Sequence, residues 1–461
     1  MSLVGELRAI LGDQRVLAPD ARGAREYLHD ATESRAIEGR ADAIVLPRTG
    51  DEVARTLRYC YAHDVPLTPR GGGTGFAGGC VPDGGVLLSL RRIGGPAQVE
   101  PERWRAHVPA GAVTGDVRRR VRENGLYYPP DPGSVESSMI GGNIATNAGG
   151  PHTFKYGVTG HWVTGLEVVL APGELVQIGG AARKDVGGYD VRSLLVGSEG
   201  TLGIITGAWL RLIPAPPVAL PVVGLYPTVA AGAAAITAVM TSGVIPAALE
   251  YLDRATLESS LTALAAVTPA FRAGVTKDAS MMVIAEADGS EAEADELREV
   301  LADGALAVDS PREAREVAAM WRWRDEVSVS VTARRGGKVS EDIVVPVEHL
   351  AEAIEATLEI GARHRLPACS WGHAGDGNLH STMMIDRGDP AELARAQAAG
   401  HELFELAVRL GGAVSGEHGI GTVKNGALAL QWPERAVELH ESIKRLFDPK
   451  DLLNPGKKLA R

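Results

Sequence analysis

At 461 residues the chain exceeds what one compact core usually serves, so two domains or more are expected. Hydrophobic residues make up 45% and charged residues 23%, an ordinary globular balance. The formal net charge of −11 argues against nucleic acid or an anionic membrane surface as the main partner, and it means that an anionic substrate needs local cations.

The N-terminal stretch MSLVGELRAILGD lacks a basic region followed by an apolar core, so no secretory signal is expected there. Cys60, Cys80 and Cys369 form no CxxC pair and suit a reducing compartment. The cytoplasm is the expected location, with peripheral attachment at a membrane as the alternative. In the first half, AIVLP, GVLLSL, GLEVVLA, ELVQIGG and GIITGAWLRLI lie between glycine and proline clusters and read as strands joined by tight loops. Pro214, Pro216 and Pro217 mark a boundary.

Beyond it, VVGLYP leads to a helix near 229–242 and ALEYLD to a helix near 254–265. SMMVIAEA precedes a charged helix near 291–302, and a further helix leads to KVSEDIVVP. This alternation predicts a sheet with helices packed on it. The most apolar stretch, Val229 to Pro246, is mostly Ala, Gly and Thr and is broken by Gly243. It falls short of the ~20 strongly apolar residues that span a bilayer. A helix (PERAVELHESIKRLF) and a polar tail (FDPKDLLNPGKK) close the chain. The expected division is 1–215, 216–415 and a closing segment 416–461.

Three loops keep unbranched backbone. The first runs Pro69-Arg70-Gly71-Gly72-Gly73-Thr74-Gly75-Phe76-Ala77-Gly78-Gly79. Gly73, Gly75 and Gly78 match the GxGxxG dinucleotide pattern, but the chain then enters a strand at Val86 with no room for the helix that pattern must open. A nest of backbone amides that cradles phosphate oxygens is the better reading. The second loop passes from Pro130 through Pro132, Gly133 and Ser134 to GGNIATNAGG, and the third is GSEGTLGIIT. Any one of these reads as a turn; three together point to a large polar ligand, a dinucleotide, approaching the backbone closely.

These loops resemble those of the flavoprotein superfamily that includes vanillyl-alcohol oxidase and p-cresol methylhydroxylase. The resemblance implies an α+β fold: a two-subdomain FAD-binding domain of the p-cresol methylhydroxylase type, followed by an α+β cap domain with an antiparallel sheet. It implies FAD contacts from Arg70, Gly71, Gly72, Gly73, Thr74, Gly75, Pro132, Gly133, Ser134, Gly141, Gly142 and Asn147. Gly149, Gly157, Glu199, Gly200, Ile204, Ile205 and Asn454 complete that set. Some members attach the flavin to a histidine of the first loop; none stands here, so non-covalent FAD is implied, with His152 and His161 the later histidines.

In the second half, Trp371-Gly372-His373-Ala374-Gly375-Asp376-Gly377-Asn378-Leu379-His380 sets two histidines around a glycine turn. Their spacing suits a turn that folds back rather than a helical zinc pair. Gly416-Glu417-His418-Gly419 follows. Two imidazoles and a carboxylate form a common divalent-metal set with positions left for substrate, although a lone histidine is usually structural. Residues 216–415 and the tail resemble the cap domain of D-lactate dehydrogenases, glycolate oxidase flavin subunits and D-2-hydroxyglutarate dehydrogenases. That resemblance implies His373, His380 and Glu417 as metal ligands, zinc or manganese foremost, His418 as the base, and Asn378 in contact with substrate.

Arg324 and Ser328 stand four apart and would share a helix face, with Lys338 at the start of a strand. The resemblance implies that these three grip a substrate carboxylate; a solvated helix face is the plain alternative. The resemblance implies oxidation of a D-2-hydroxy acid by hydride transfer to flavin, its D stereochemistry included. The electron acceptor is left open among a quinone, a cytochrome, an electron-transfer flavoprotein and oxygen, and the assembly is left open with a homodimer as the working expectation. Rival readings are a transferase like alkyl-glycerone-phosphate synthase and a non-catalytic flavin subunit of a larger oxidase.

Overall fold

The structure, a computed structural model, describes residues 2–267 and 275–459. The chain divides into two compact units. Unit 1 comprises Met1–Gly149, Val158–Ala215 and Glu417–Arg461, and unit 2 comprises Gly150–Gly157 and Pro216–Gly416. The sequence reading left residues 150–157 with the first domain; their packing partners explain the difference and are described below.

Unit 1 holds a four-stranded sheet in the order Val16–Leu17, Ala43–Val45, Val86–Ser89, Leu67–Arg70, the last three parallel. Ala43–Val45 and Val86–Ser89, in the middle of this sheet, are buried throughout and read as short, mostly apolar runs. The helix Gly50–Ala62 starts where the Thr49 side chain accepts the Glu52 N–H, and it buries Val53, Leu57 and Cys60 in the core. A second sheet is antiparallel, in the order Gln98–Glu100, Arg105–Pro109, Ile204–Arg211, Val163–Leu170, Glu174–Gly179. The first glycine loop runs from Arg70 to Val86 without a helix, as its residues predict.

Unit 2 is built on one antiparallel sheet of seven strands. In chain order they are β1 (Leu220–Tyr226), β2 (Ala248–Asp253), β3 (Met281–Ala287), β4 (Ala307–Asp309), β5 (Gly336–Val344), β6 (Ala368–His373) and β7 (Asn378–Asp386). Their spatial order is β4-β1-β3-β2-β6-β7-β5. Register fixes which side chains share a face, because directly opposed residues point the same way and neighbours in sequence point apart. Glu250 faces His373, which faces Asn378; Leu252 faces Trp371, which faces His380, which faces Asp342. One face therefore carries Glu250, His373, His380, Asn378 and Asp342 in a polar row.

Beside the polar row the same face carries an apolar cluster. Val223, Leu225, Leu252, Met282, Ile284, Cys369, Trp371 and Met384 cluster there with Met320, Trp323, Val327 and Val331 from the helices Ala314–Asp325 and Val327–Ala333. The opposite face packs against other helices, as when Tyr226 donates to the Leu301 carbonyl and Thr357 bonds Ser381. Among the described residues no helix is long and apolar enough to cross a membrane.

Asp253 closes β2. Its carboxylate accepts the N–H of Thr256 at 2.8 Å, capping the next helix, and the N–H of Ser370 on β6 at 2.9 Å. Burial raises its pKa to about 6, only partly opposed by the Thr256 and Ser370 bonds. The folded chain thus holds this proton more tightly than the unfolded chain. The associated stability is complete below about pH 4 and is lost as pH rises through about 6. Asp253→Asn removes that titration. Urea unfolding at pH 4 and pH 8 should show the variant gaining on the parent by on the order of 2–3 kcal/mol as pH rises. A pH-independent difference would refute the assignment.

Candidate active-site residues in the two units

In unit 1 the three glycine loops and the C-terminal segment converge. A Cβ on Gly72 would stand 2.5 Å from the Ser137 carbonyl, and one on Gly71 would stand 3.2 Å from the Cα of Gly142. The first two loops therefore pack backbone against backbone, and side chains larger than hydrogen are barred between them. The Ser134 hydroxyl reaches Thr74 Oγ1 at 3.2 Å across the same contact. Among the described residues, the N–H groups of Gly72, Gly73, Thr74 and Gly75 donate to no other backbone group, and all four residues are half-buried. That run of amides is a cradle suited to anionic oxygens.

Several residues expected at the cofactor have side chains engaged with the protein. Arg70 donates to the carbonyls of His29 (2.6 Å) and Glu26 (3.0 Å). Glu199, at φ +53°, accepts the N–H groups of Ile420 (2.9 Å) and Gly421 (2.7 Å). The Asn454 amide bonds the carbonyls of Gly79 and Glu199, each at 2.7 Å. Asn147 accepts the Gly160 N–H at 2.8 Å. These side chains hold the loops in shape. Gly141, Gly142, Gly149, Pro132, Gly133, Gly200, Ile204 and Ile205 lie in unit 1 with them, whereas Gly157 belongs to unit 2.

The Glu199 bonds stitch the GEHG segment to the loops. Ala77 accepts from Thr422 at 2.9 Å, and the Gly421 position would place a Cβ 1.9 Å from that carbonyl. His418 consequently lies against the first glycine loop, its ring 4.8 Å from that of Phe76 and its Nε2 3.8 Å from Glu417 Oε1.

In unit 2 the polar row has its own order. His373 and His380 are buried, with ring centroids 5.3 Å apart and planes nearly perpendicular. Nδ1 of His373 is 2.5 Å from Glu250 Oε1. Arg324 donates through Nε and Nη2 to Glu250 Oε2, the former at 2.8 Å. Burial alone would push the Glu250 carboxyl up; the Arg324 guanidinium and His373 outweigh it and hold it well below the usual carboxylate range. Asp342 accepts Asn378 Nδ2 (2.7 Å), the Ser415 hydroxyl (2.9 Å) and the Gly416 N–H (2.9 Å). It thereby anchors the chain one peptide before Glu417.

The three expected carboxylate anchors have different partners in the chain. The helix bearing Arg324 ends at Asp325 and a new one starts at Val327, so Arg324 and Ser328 are not on one continuous helix. Arg324 is committed to Glu250, while Lys338 donates to the Ser328 carbonyl (3.0 Å) and hydroxyl. Lys338 Nζ also lies 5.2 Å from the Trp371 ring, whose other neighbour is His380 at 5.8 Å. Burial pushes the Lys338 pKa down to about 8. Both amide hydrogens of Asn378 are engaged, with Asp342 and the Ile343 carbonyl at 2.9 Å.

Sequence reading missed Glu250 and Asp342. The signal was present: Glu250 stands between Leu249 and Tyr251 in ALEYLD, and Asp342 opens directly onto the apolar run Ile343-Val344-Val345 of KVSEDIVVP. It also missed why residues 150–157 join unit 2. His152 bonds Glu286 at 2.9 Å, Trp321 donates to the same carboxylate at 2.6 Å, and Lys155 and Tyr156 both bond Asp288.

Residues 216–458 match the family described as FAD linked oxidases, C-terminal domain, and residues 41–179 match the FAD binding domain. The chain is 36% identical to the glycolate oxidase subunit GlcD of Bacillus subtilis, over 95% of this chain and 93% of that one. It is 32% identical to the D-lactate dehydrogenase of Anaerostipes hadrus, over 97% and 95% respectively. Among solved structures, p-cresol methylhydroxylase with substrate bound superposes with a TM-score of 0.79 at 20% identity, covering 99% of this chain and 96% of that one. An alkyldihydroxyacetonephosphate synthase superposes at 0.75 and 20% identity, covering 98% of this chain and 84% of that one. At that identity these two likenesses speak for the fold alone.

The Glu199 clamp yields a direct check. Glu199→Gln leaves one acceptor oxygen for two buried N–H groups and removes the charge facing Lys458 at 3.3 Å. The expected cost is about 1.5–3 kcal/mol, with faster amide exchange at Ile420 and Gly421. Unchanged exchange at those two amides would show that the clamp does not hold the segment.

Proposed function

The chain belongs to the FAD-linked oxidase family, and from that premise we propose that it oxidises a small D-2-hydroxy acid to the 2-oxo acid with non-covalent FAD and a divalent metal ion. The relatives named for glycolate and D-lactate act on acids of this class. The observation that carries the reading is the wall around Trp371, where the His380 ring and the Lys338 ammonium flank one indole and His373 stands beside His380. Two imidazoles and a cation beside the apolar cluster on one face suit a molecule with an ionised carboxylate and an adjacent hydroxyl.

The residues fit both groups. The half-buried amides of Gly72 to Gly75 offer donors for the FAD pyrophosphate, and the first loop holds no histidine for a covalent link. His373, oriented by Glu250, and His380 would hold the ion, zinc or manganese, with Glu417 as the third ligand one residue beyond the anchored Gly416. When bound, FAD supplies a hydride acceptor and the ion a Lewis acid that acidifies the 2-hydroxyl.

The chain's own residues do the rest. Lys338 Nζ and Ser328 Oγ hold the substrate carboxylate and so aim C2. Among the described residues Lys338 has no carboxylate within ion-pair distance, and a half-buried cation so placed favours an anionic guest. The His418 imidazole, against the first glycine loop, accepts the hydroxyl proton. The apolar face formed by Trp371, Met384 and Leu252 limits water around the carboxylate anchor.

Anaerobic mixing with a panel of D- and L-2-hydroxy acids, followed at the flavin visible band, tests the proposal. One D-acid should bleach the flavin, and prior chelation should abolish the effect. His418→Ala should retain FAD yet reduce the bleaching rate by about 10²–10⁴-fold. A yellow protein that no hydroxy acid bleaches would leave a flavin protein with another task and refute the dehydrogenase reading.

A further inference from the structure

We propose that the Lys457 ammonium faces the flavin ring of bound FAD and stabilises the negative charge that the ring gains on reduction. The inference rests on the FAD part of the reading above and needs neither the metal nor the identity of the substrate. Lys457 is only 7% exposed. Its backbone is fastened on both sides. The Gly456 carbonyl accepts Asn425 Nδ2 at 3.2 Å, the Lys457 carbonyl accepts the Leu459 N–H at 2.8 Å, and the Lys458 N–H donates to the Gly421 carbonyl at 3.0 Å. Lys458, next in sequence, sets its ammonium 3.3 Å from Glu199 Oε1. Among the described residues the Lys457 ammonium has neither a hydrogen bond nor an ion pair. A nearly enclosed cation without acceptors is destabilising, so it marks the place of an electron-rich guest.

The position of this cation selects the part of FAD. Asn454, three residues earlier, binds the carbonyls of Gly79 and Glu199, which brings the tail to the far end of the first glycine loop. Burial draws the Lys457 pKa down, while Asp83, Cys80, Asp30 and Glu199 around it oppose the shift. Asp30 stands behind the loop, its Oδ2 3.9 Å from where a Cβ on Gly75 would lie. The amides suited to the pyrophosphate belong to Gly72 through Gly75, at the near end of the loop. His418, the proposed base, lies against Phe76, just beyond them. The loop thus runs from phosphate donors, past the base, to Lys457. In the reaction, two electrons and one hydrogen pass from substrate C2 to N5 of the ring, while the hydroxyl proton goes to His418. One negative charge then rests on the N1 and C2-oxygen side of the ring, where a fixed cation in an enclosed site acts more strongly than in water.

Sulfite tests the assignment on the full-length, FAD-loaded chain, because it adds at N5 and leaves the same charge on the ring without substrate or metal. Lys457→Met should bind sulfite about 10–100-fold more weakly than the parent. The midpoint potential of the two-electron couple should fall by about 30 mV for each tenfold loss, and it is read whether or not sulfite binds measurably. Lys457→Arg should recover part of both, and Lys458→Met should keep the parent values. ADP titrated into the FAD-free chain reports the phosphate end alone, and Lys457→Met should bind it as the parent does. If Lys457→Met does not fold, Lys457→Gln, which keeps a neutral donor there, carries the same measurements. Parent-like sulfite affinity and potential in the folded variant would overturn the proposal. Weakened ADP binding with an unchanged potential would assign the cation to the pyrophosphate and overturn it as well. An equal loss in Lys458→Met would show a diffuse field in place of a contact, with the same consequence. A parent chain that takes up no FAD would refute the flavin reading itself.

Discussion

A carboxylate buried in the middle of a sheet is the constraint around which unit 2 is arranged. Glu250 lies on β2 among apolar neighbours, and an isolated charge there would be strongly destabilising. It is tolerable because β6 presents His373 directly opposite and the helix Ala314–Asp325 presents Arg324 from above. Both partners depend on register: a one-residue slip of β6 against β2 would turn His373 to the other face and leave Glu250 with Arg324 alone. Breaking such a buried set usually costs about 3–5 kcal/mol, so the site chemistry and the strand pairing stabilise each other. Asp342 repeats the principle at the far edge, where its carboxylate takes Asn378, Ser415 and Gly416 and fixes the point at which the chain leaves the sheet.

Unit 1 meets a different constraint, close approach of backbone to backbone. Gly72 and Gly421 each occupy positions where a methyl group would collide with a carbonyl. Tight packing of this kind holds polar backbone groups at fixed spacing without burying them, which is what an amide cradle for a dinucleotide requires. Glu199 then couples the third loop to the segment carrying His418, whose ring lies against Phe76 of the first loop.

Much of this was legible in the residues. The glycine runs and the lack of room for a helix before Val86 agree with the loop that is seen there, and the alternation of strand and helix after Pro217 agrees with the seven-stranded sheet of unit 2. His373, His380, Glu417 and His418 stood out because glycines flank them. Local spacing could not reveal tertiary partners. Arg324 and Ser328 looked like one helical face, yet the helix breaks at Glu326 and Arg324 pairs with Glu250, 74 residues away in sequence. Likewise His152 was considered only for a covalent flavin link, since its partner Glu286 is 134 residues distant. Acids at inward positions of apolar strands, Glu250 and Asp342, were the overlooked clue: such a residue must have a buried partner, and the partner is worth seeking among the histidines.

The central claim is that one face of the unit 2 sheet presents a pre-oriented imidazole pair for a catalytic metal ion. Anomalous diffraction from crystals grown with zinc, recorded at the metal absorption edge, tests it most directly. The account predicts a single strong peak bonded to Nε2 of His373 at about 2.0–2.1 Å, shared with His380 and a Glu417 carboxylate oxygen. A peak on other residues, or one bonded to Nδ1 of His373 with Glu250 displaced, would contradict it.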